Sequence, residues 1–257
     1  MRYGVLACRL GIAAALFSGL CWTAAAATDW EDCSSGDTGR IIQGCSAILK
    51  AGKIPTKQRA IAYVYRGIAY YVRGELDKAL SDYSDAIKSD KGSSEAYHNR
   101  ADLEFHKGDL EAAVADYTRA IELNSKSASA YNGRGNALQE SGKVDGAIAD
   151  YNRAIELDPK SAFPYNGRGN AWRDKGEFEK AIEDYSHALT VDPKYETALI
   201  GRGNAFSNKG DWQKAIKDYD NAISLAPLGA CPSIRDHRFL GEFDSVKAAI
   251  RSRTFHC

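Results

Sequence analysis

Between residues 60 and 229 the chain alternates short amphipathic stretches, two to a block, with a glycine dividing each pair. Within a stretch, apolar and small residues recur at intervals of three and four, the spacing of one helix face. The segments YRGIAYYVRGELDKALSDYSDAI, YHNRADLEFHKGDLEAAVADYTRAI, YNGRGNALQESGKVDGAIADYNRAI, YNGRGNAWRDKGEFEKAIEDYSHAL and IGRGNAFSNKGDWQKAIKDYDNAI align without gaps. Each predicts a pair of helices. One such pair cannot bury its own apolar face, so stacked neighbours must supply the core.

The blocks keep strict register. Gly74, Gly108, Gly142, Gly176 and Gly210 lie 34 residues apart, as do Tyr83, Tyr117, Tyr151, Tyr185 and Tyr219, and Ala79, Ala113, Ala147, Ala181 and Ala215. Five units follow: 60–93, 94–127, 128–161, 162–195 and 196–229. Gly67, Ala101, Gly135, Gly169 and Gly203 are small where the first helix approaches its partner, and the tyrosines fill the space between units. Gly74 and its equivalents suit the left-handed end of the first helix. Pro159, Pro193 and Pro227 stop the second helix, and Pro164 falls in a first turn, where its missing N–H costs little.

This period with these residues resembles the tetratricopeptide repeat (TPR) family over 170 of the 257 residues. The resemblance implies an all-α, right-handed superhelical solenoid with a concave inner face, built of five helix-turn-helix units between capping helices. It implies a general binding scaffold more than any one function.

One departure from the family pattern is regular. The place before the small residue of the first helix, commonly a large aliphatic, is Arg66, Arg100, Arg134, Arg168 and Arg202. The residue before each repeated tyrosine is Asp82, Asp116, Asp150, Asp184 and Asp218. An arginine ladder for an anion is one reading. A repeated structural Arg–Asp pair is favoured, because guanidinium suits bidentate carboxylate pairing and each charge comes with its counter-charge.

The ends differ from the repeats. Residues 1–27 read as a signal peptide: Arg2 and Arg9, an apolar run from Leu10 to Leu20, then Ala25-Ala26-Ala27 as a small-residue cleavage site. The run is too short to span a bilayer comfortably, and no other segment reaches a spanning length, so stable membrane insertion is not expected after cleavage. Residues 28–59 read as an N-terminal cap around RIIQGCSAILKAG, in which Cys45 resembles the place of a repeated tyrosine. Residues 230–257 read as a C-terminal cap with FDSVKAAIRSR as its helix. Four cysteines remain outside the leader, Cys33, Cys45, Cys231 and Cys257, which allow three connectivities in an exported chain. Five stacked units would hold the ends tens of ångströms apart, whereas bridged Cα atoms lie within about 7 Å. The solenoid reading therefore pairs Cys33 with Cys45 and Cys231 with Cys257. The cysteine-bearing cap before RG-type repeats resembles exported TPR proteins of Gram-negative bacteria, which implies the periplasm.

Composition narrows the function classes. Apolar residues are 44% and charged residues 26%, an ordinary globular balance. Lys+Arg and Asp+Glu are 34 each, so there is no electrostatic footprint for nucleic acid and no polybasic membrane patch. Phosphate-loop, HExxH, GxSxG and dinucleotide patterns are missing, and GRGNA sits inside a helix with no strand before it. His98 and His106 are two turns apart on one helix, unlike the three- or four-residue spacing of metal pairs. No enzyme activity, cofactor or metal is expected.

In the family, ligands lie along the face made by the first helices. Helical spacing puts Ile61, Val64, Ile68, Tyr71 and Val72 there in the first unit and Glu95, His98, Asp102, Phe105 and His106 in the second. Later units contribute the series Asn132, Asn136, Asn166, Asn170 and Asn204, and one base, Arg173, against four acids. The clustered lysines of carboxylate-holding adaptor domains are missing. An asparagine offers both a donor and an acceptor, matching an extended peptide backbone. The series resembles the asparagine ladder in the superhelical domain of O-linked N-acetylglucosamine transferase. The partner expected is a protein segment, with self-association through faces bearing Trp172 and Trp212 as the second reading.

Overall fold

The computed structural model describes residues 24–52 and 54–225, which hold helices and turns and no strand. Residues 1–23 of the expected leader, the expected C-terminal cap and the expected Cys231–Cys257 pairing lie outside the described residues. The chain divides into two compact units at Ser125/Lys126.

The first unit contains α1 (Ala24–Cys33), α2 (Thr38–Ala51), α3 (Thr56–Val72), α4 (Leu76–Ser89), α5 (Ser94–Lys107) and α6 (Leu110–Leu123). The second contains α7 (Ala128–Glu140), α8 (Val144–Leu157), α9 (Ala162–Asp174), α10 (Phe178–Val191), α11 (Glu196–Asn208) and α12 (Trp212–Leu225). Within each unit a helix packs mainly on its neighbours in sequence, the wiring of a helical repeat array.

Local chemistry sets the helix ends. Ser93 and Ser127 accept hydrogen bonds from the amides of Ala96 and Ala130, and Asp109 from that of Ala112. Gly74, Gly108, Gly142, Gly176 and Gly210 all have φ between 75° and 82°. A Cβ in that conformation costs roughly 1–2 kcal/mol, which is why the dividing residue is glycine.

The repeated tyrosine sits in a slot made by two glycines. A Cβ on Gly135, in the tyrosine's own block, would come within 2.7 Å of Tyr151 Cε1. One on Gly167, in the following helix, would come within 2.6 Å of the same atom. Tyr185 is held likewise between Gly169 and Gly201. The GRG triplet thus spaces one glycine for the tyrosine of its own block and one for the tyrosine before it.

The repeated arginine ties three helices together. Arg66 makes two hydrogen bonds to Asp82, from Nε at 2.8 Å and Nη2 at 2.7 Å, and Arg100, Arg134, Arg168 and Arg202 do the same with Asp116, Asp150, Asp184 and Asp218. The Nη1 groups of Arg66, Arg100, Arg168 and Arg202 reach back to Ser46, Ser84, Asn152 and Ser186 on the preceding helix. All five aspartates are buried, so the pairing satisfies carboxylates that would otherwise be costly. The aspartates hold the guanidinium groups of Arg66, Arg100, Arg134 and Arg168 above the ordinary arginine range.

The N-terminal helices follow a variant of this plan. Helix α1 was not anticipated, because AAAATDWEDC carries no apolar periodicity and its first residues read as leader. Its contact with α2 is close: a Cβ on Gly44 would lie 2.5 Å from Asp29 O and 2.6 Å from Cys33 N. Cys33 and Cys45 are disulfide-bonded and fully buried. Ser46 bonds Arg66 as Ser84 bonds Arg100, which puts Cys45 at the tyrosine register. With a small residue there, the position of Gly167 and Gly201 can be Tyr65, which packs on the Cys33–Cys45 cluster. Large and small have exchanged sides. Helix α3 starts at Thr56, one turn ahead of the repeat frame.

Candidate functional site

The asparagine series divides into two kinds of position. Asn136, Asn170 and Asn204 are half-buried, and each Oδ1 accepts the phenol proton of the tyrosine fifteen residues later: Tyr151 at 2.8 Å, Tyr185 at 2.7 Å and Tyr219 at 2.7 Å. The Tyr151 phenol also lies 3.0 Å from Gln139 Oε1, and a phenol oxygen can donate to an amide or accept from one. Among the described residues the three Nδ2 groups have no hydrogen-bond acceptor. They form a row of donors on the first helices of successive repeats.

Asn132 and Asn166 lie one turn earlier and do not join that row. Asn166 is 7% exposed, and the Oδ1 atoms of both residues are buried without a partner. The equivalent residue of α3, Val64, is 2% exposed in a cluster with Ala96 of the neighbouring first helix. Their burial falls on the amide oxygens, whereas in the Asn136 register the oxygen is held by a phenol. Arg173 contacts Asp174, which also accepts from Gln139 at 2.6 Å, so the base expected in the groove is engaged with its neighbour.

In the first unit the register of Asn136 is Ile68 and then Asp102. Asp102 Oδ1 takes the phenol proton of Tyr117, and its Oδ2 lies 3.5 Å from His98 Nε2. His98 also meets the Tyr117 ring edge-on, with centroids 5.7 Å apart. Phe105 is half-buried beside His106, whose ring faces Tyr71 of α3 at 5.9 Å. Burial, followed by the Asp102 charge, pushes the Tyr83 and Tyr117 phenols far above their usual range.

Glu104 was missed by the reading of the sequence. It occupies the register held by Tyr70, Leu138, Trp172 and Phe206, so the signal was an acid in an apolar column. Burial first, then the Asp116 charge, pushes its carboxyl up to about 7, although Arg100 opposes this from 3.8 Å. Trp172, offered as a contact between copies, instead packs into the core beneath Lys175 and Lys180. Trp212 is 59% exposed and stands with Ile216 and Ile223 on one face of α12. No group of three or more His, Cys, Asp or Glu residues among the described residues could hold a metal ion. No described helix is long and apolar enough to cross a membrane.

Comparison with known proteins agrees with this architecture. The family profile described as TPR repeat matches residues 101–142, 135–172 and 169–210, and that described as tetratricopeptide repeat matches 197–227. No curated protein matches the sequence significantly. Among solved structures, MamA is 26% identical with a TM-score of 0.57, over 65% of this chain and 91% of that one. YrrB, described as a TPR protein with an unusual peptide-binding site, is 19% identical with a TM-score of 0.58, over 79% and 99%. A tetratricopeptide repeat protein from Parabacteroides merdae is 18% identical with a TM-score of 0.67, over 79% of each chain. Such repeats serve generally as protein-interaction scaffolds and not as enzymes. Residues 101–227, at the least, match tetratricopeptide repeats.

Proposed function

We propose that the protein is an exported interaction scaffold that binds an extended segment of a partner protein along the first helices of its repeats. The observation that carries this reading is the row of Asn136, Asn170 and Asn204, whose oxygens are occupied by tyrosine phenols and whose amide nitrogens are free. Such a row offers donors to the carbonyl oxygens of an extended backbone, which every peptide carries. Sequence-tolerant binding follows. Export rests on the leader-like residues 1–27, and the periplasm on the resemblance of the cysteine-bearing cap.

The test is selection of a random dodecapeptide display library on the parent chain and on a triple variant, Asn136→Asp, Asn170→Asp and Asn204→Asp. Aspartate keeps the acceptor each tyrosine uses, as Asp102 does for Tyr117, and replaces the donor with a charge. The parent should enrich peptides and the folded variant should lose them. Enrichment by neither protein, or by both alike, refutes the reading. Self-association is the second reading, favoured by exposed Trp212, Ile216 and Ile223. Sedimentation mass over a range of concentrations decides it.

A further inference from the structure

The first unit departs from the asparagine row in a way that selects a ligand. Asp102 replaces the neutral amide of Asn136, Asn170 and Asn204 at the same register. One of its oxygens is committed to the Tyr117 phenol, and the other faces His98 at 3.5 Å. Its side chain is nevertheless 43% exposed. Neither Asp102 nor Glu95, two turns earlier on α5, has a lysine or arginine partner among the described residues. In the second unit Asp174, four residues past the register of Asn170, has Arg173 at 3.4 Å.

Aromatic side chains share the neighbourhood of this carboxylate. Phe105 and His106 follow Asp102 by one turn of α5, and Tyr71 of α3 lies against His106. Tyr71 is 36% exposed, and both it and Asp102 act electrostatically on the Tyr83 and Tyr117 phenols, which places the four groups in one neighbourhood. A carboxylate flanked by aromatic faces attracts an ammonium or guanidinium group twice over. The ion pair supplies the charge, and the ring faces accept the alkyl stem or the planar cation. A bare metal ion is a poorer fit, since among the described residues no group of three or more His, Cys, Asp or Glu could hold it.

We propose that Asp102, Tyr71 and His106 form a subsite for a lysine or arginine side chain of the bound segment. The proposal rests on the peptide-binding reading for its ligand, and it adds one specificity position to an otherwise sequence-tolerant face.

The test uses the full chain and three small probes: Nα-acetyl-arginine amide, Nα-acetyl-lysine amide and the uncharged Nα-acetyl-glutamine amide. Amide-resolved NMR follows the titration. The two cationic probes should shift resonances around Tyr71, Asp102 and His106, and the glutamine probe should not. In Asp102→Asn, which keeps the acceptor for Tyr117, the half-saturating concentration should rise at least about fivefold. Tyr71→Leu should weaken binding by a smaller factor. Equal shifts from all three probes, no shift from the cationic ones, or an unchanged titration in Asp102→Asn overturns the subsite. The library selection separates this from the broader reading. Enriched peptides without a preferred lysine or arginine would overturn the subsite and leave the peptide face standing. Cationic probes that bind while no peptide is enriched would uphold the subsite and sink the peptide face.

Discussion

Gly167→Ala is a stringent check on the tyrosine slot, because two opposed effects meet at one atom. In a helix interior, alanine is favoured over glycine by about 1 kcal/mol. Gly167 lies inside α9, and its φ is not positive, so that gain is available. The new methyl, however, would stand 2.6 Å from Tyr151 Cε1 and 2.7 Å from Cζ. The ring cannot back away, since Gly135 already limits it from α7 at 2.7 Å. Overpacking of this kind costs roughly 1–3 kcal/mol. The net expectation is a loss of about 1 kcal/mol, read by urea denaturation followed by circular dichroism. In a Tyr151→Leu background the obstructing Cε1 and Cζ atoms are gone, and the same Gly167→Ala change should stabilise. Gly146→Ala, whose Cβ would meet only Leu138 at 3.4 Å, serves as the unobstructed control and should be neutral or stabilising. If Gly167→Ala has the same sign with Tyr151 and with Leu at that position, the clamp is not what excludes a side chain there.

Three further outcomes are expected. The Glu104 carboxyl is raised from its ordinary value to about 7, so its neutral form belongs to the folded state. Its contribution is fully present below about pH 4.5 and is lost as pH rises through about 7. Glu104→Gln should therefore be more stable than the parent at pH 8 and no more stable at pH 4.5, by thermal denaturation at each pH. Asp184→Asn leaves the Arg168 guanidinium without its bidentate partner and should cost about 3 kcal/mol in urea denaturation. Asp145→Asn, at an exposed Lys175 pair, should cost under about 1 kcal/mol. The joint substitution Cys33→Ser and Cys45→Ser should lower stability by about 3 kcal/mol in the chain-entropy account of a loop this short. Proteolysis should then cut first in α1 and α2.

The repeat architecture was legible because its period is carried by residues whose physics is local. A glycine with φ near 75–82° can be found from its spacing alone, and so can a tyrosine that recurs with it. The Arg–Asp pairing was legible for the same reason, since both members recur at fixed separation. What stayed hidden depends on neighbours in space. Helical spacing places Asn132 and Asn136 on one stripe, yet the amide oxygens of Asn132 and Asn166 are buried without a partner while those of Asn136 and Asn170 meet a phenol. The capture of the asparagine oxygens by tyrosines has a constant fifteen-residue separation, which a search for paired periodicities would have found. Helix α1 had no periodicity to find: its attachment rests on a disulfide and on Gly44.

The exchange of sizes at Cys45 and Tyr65 gives the array a grammar. Where a tyrosine is followed by a glycine-bearing first helix, as at Tyr151 and Gly167 or Tyr185 and Gly201, a duplicated block can be spliced in and both of its junctions still fit. A block spliced in directly ahead of α3 would bring a tyrosine against Tyr65, and the two rings would compete for one place. Gene duplication can therefore lengthen this protein among its later repeats, whereas Tyr65 ahead of them calls for a small neighbour such as Cys45.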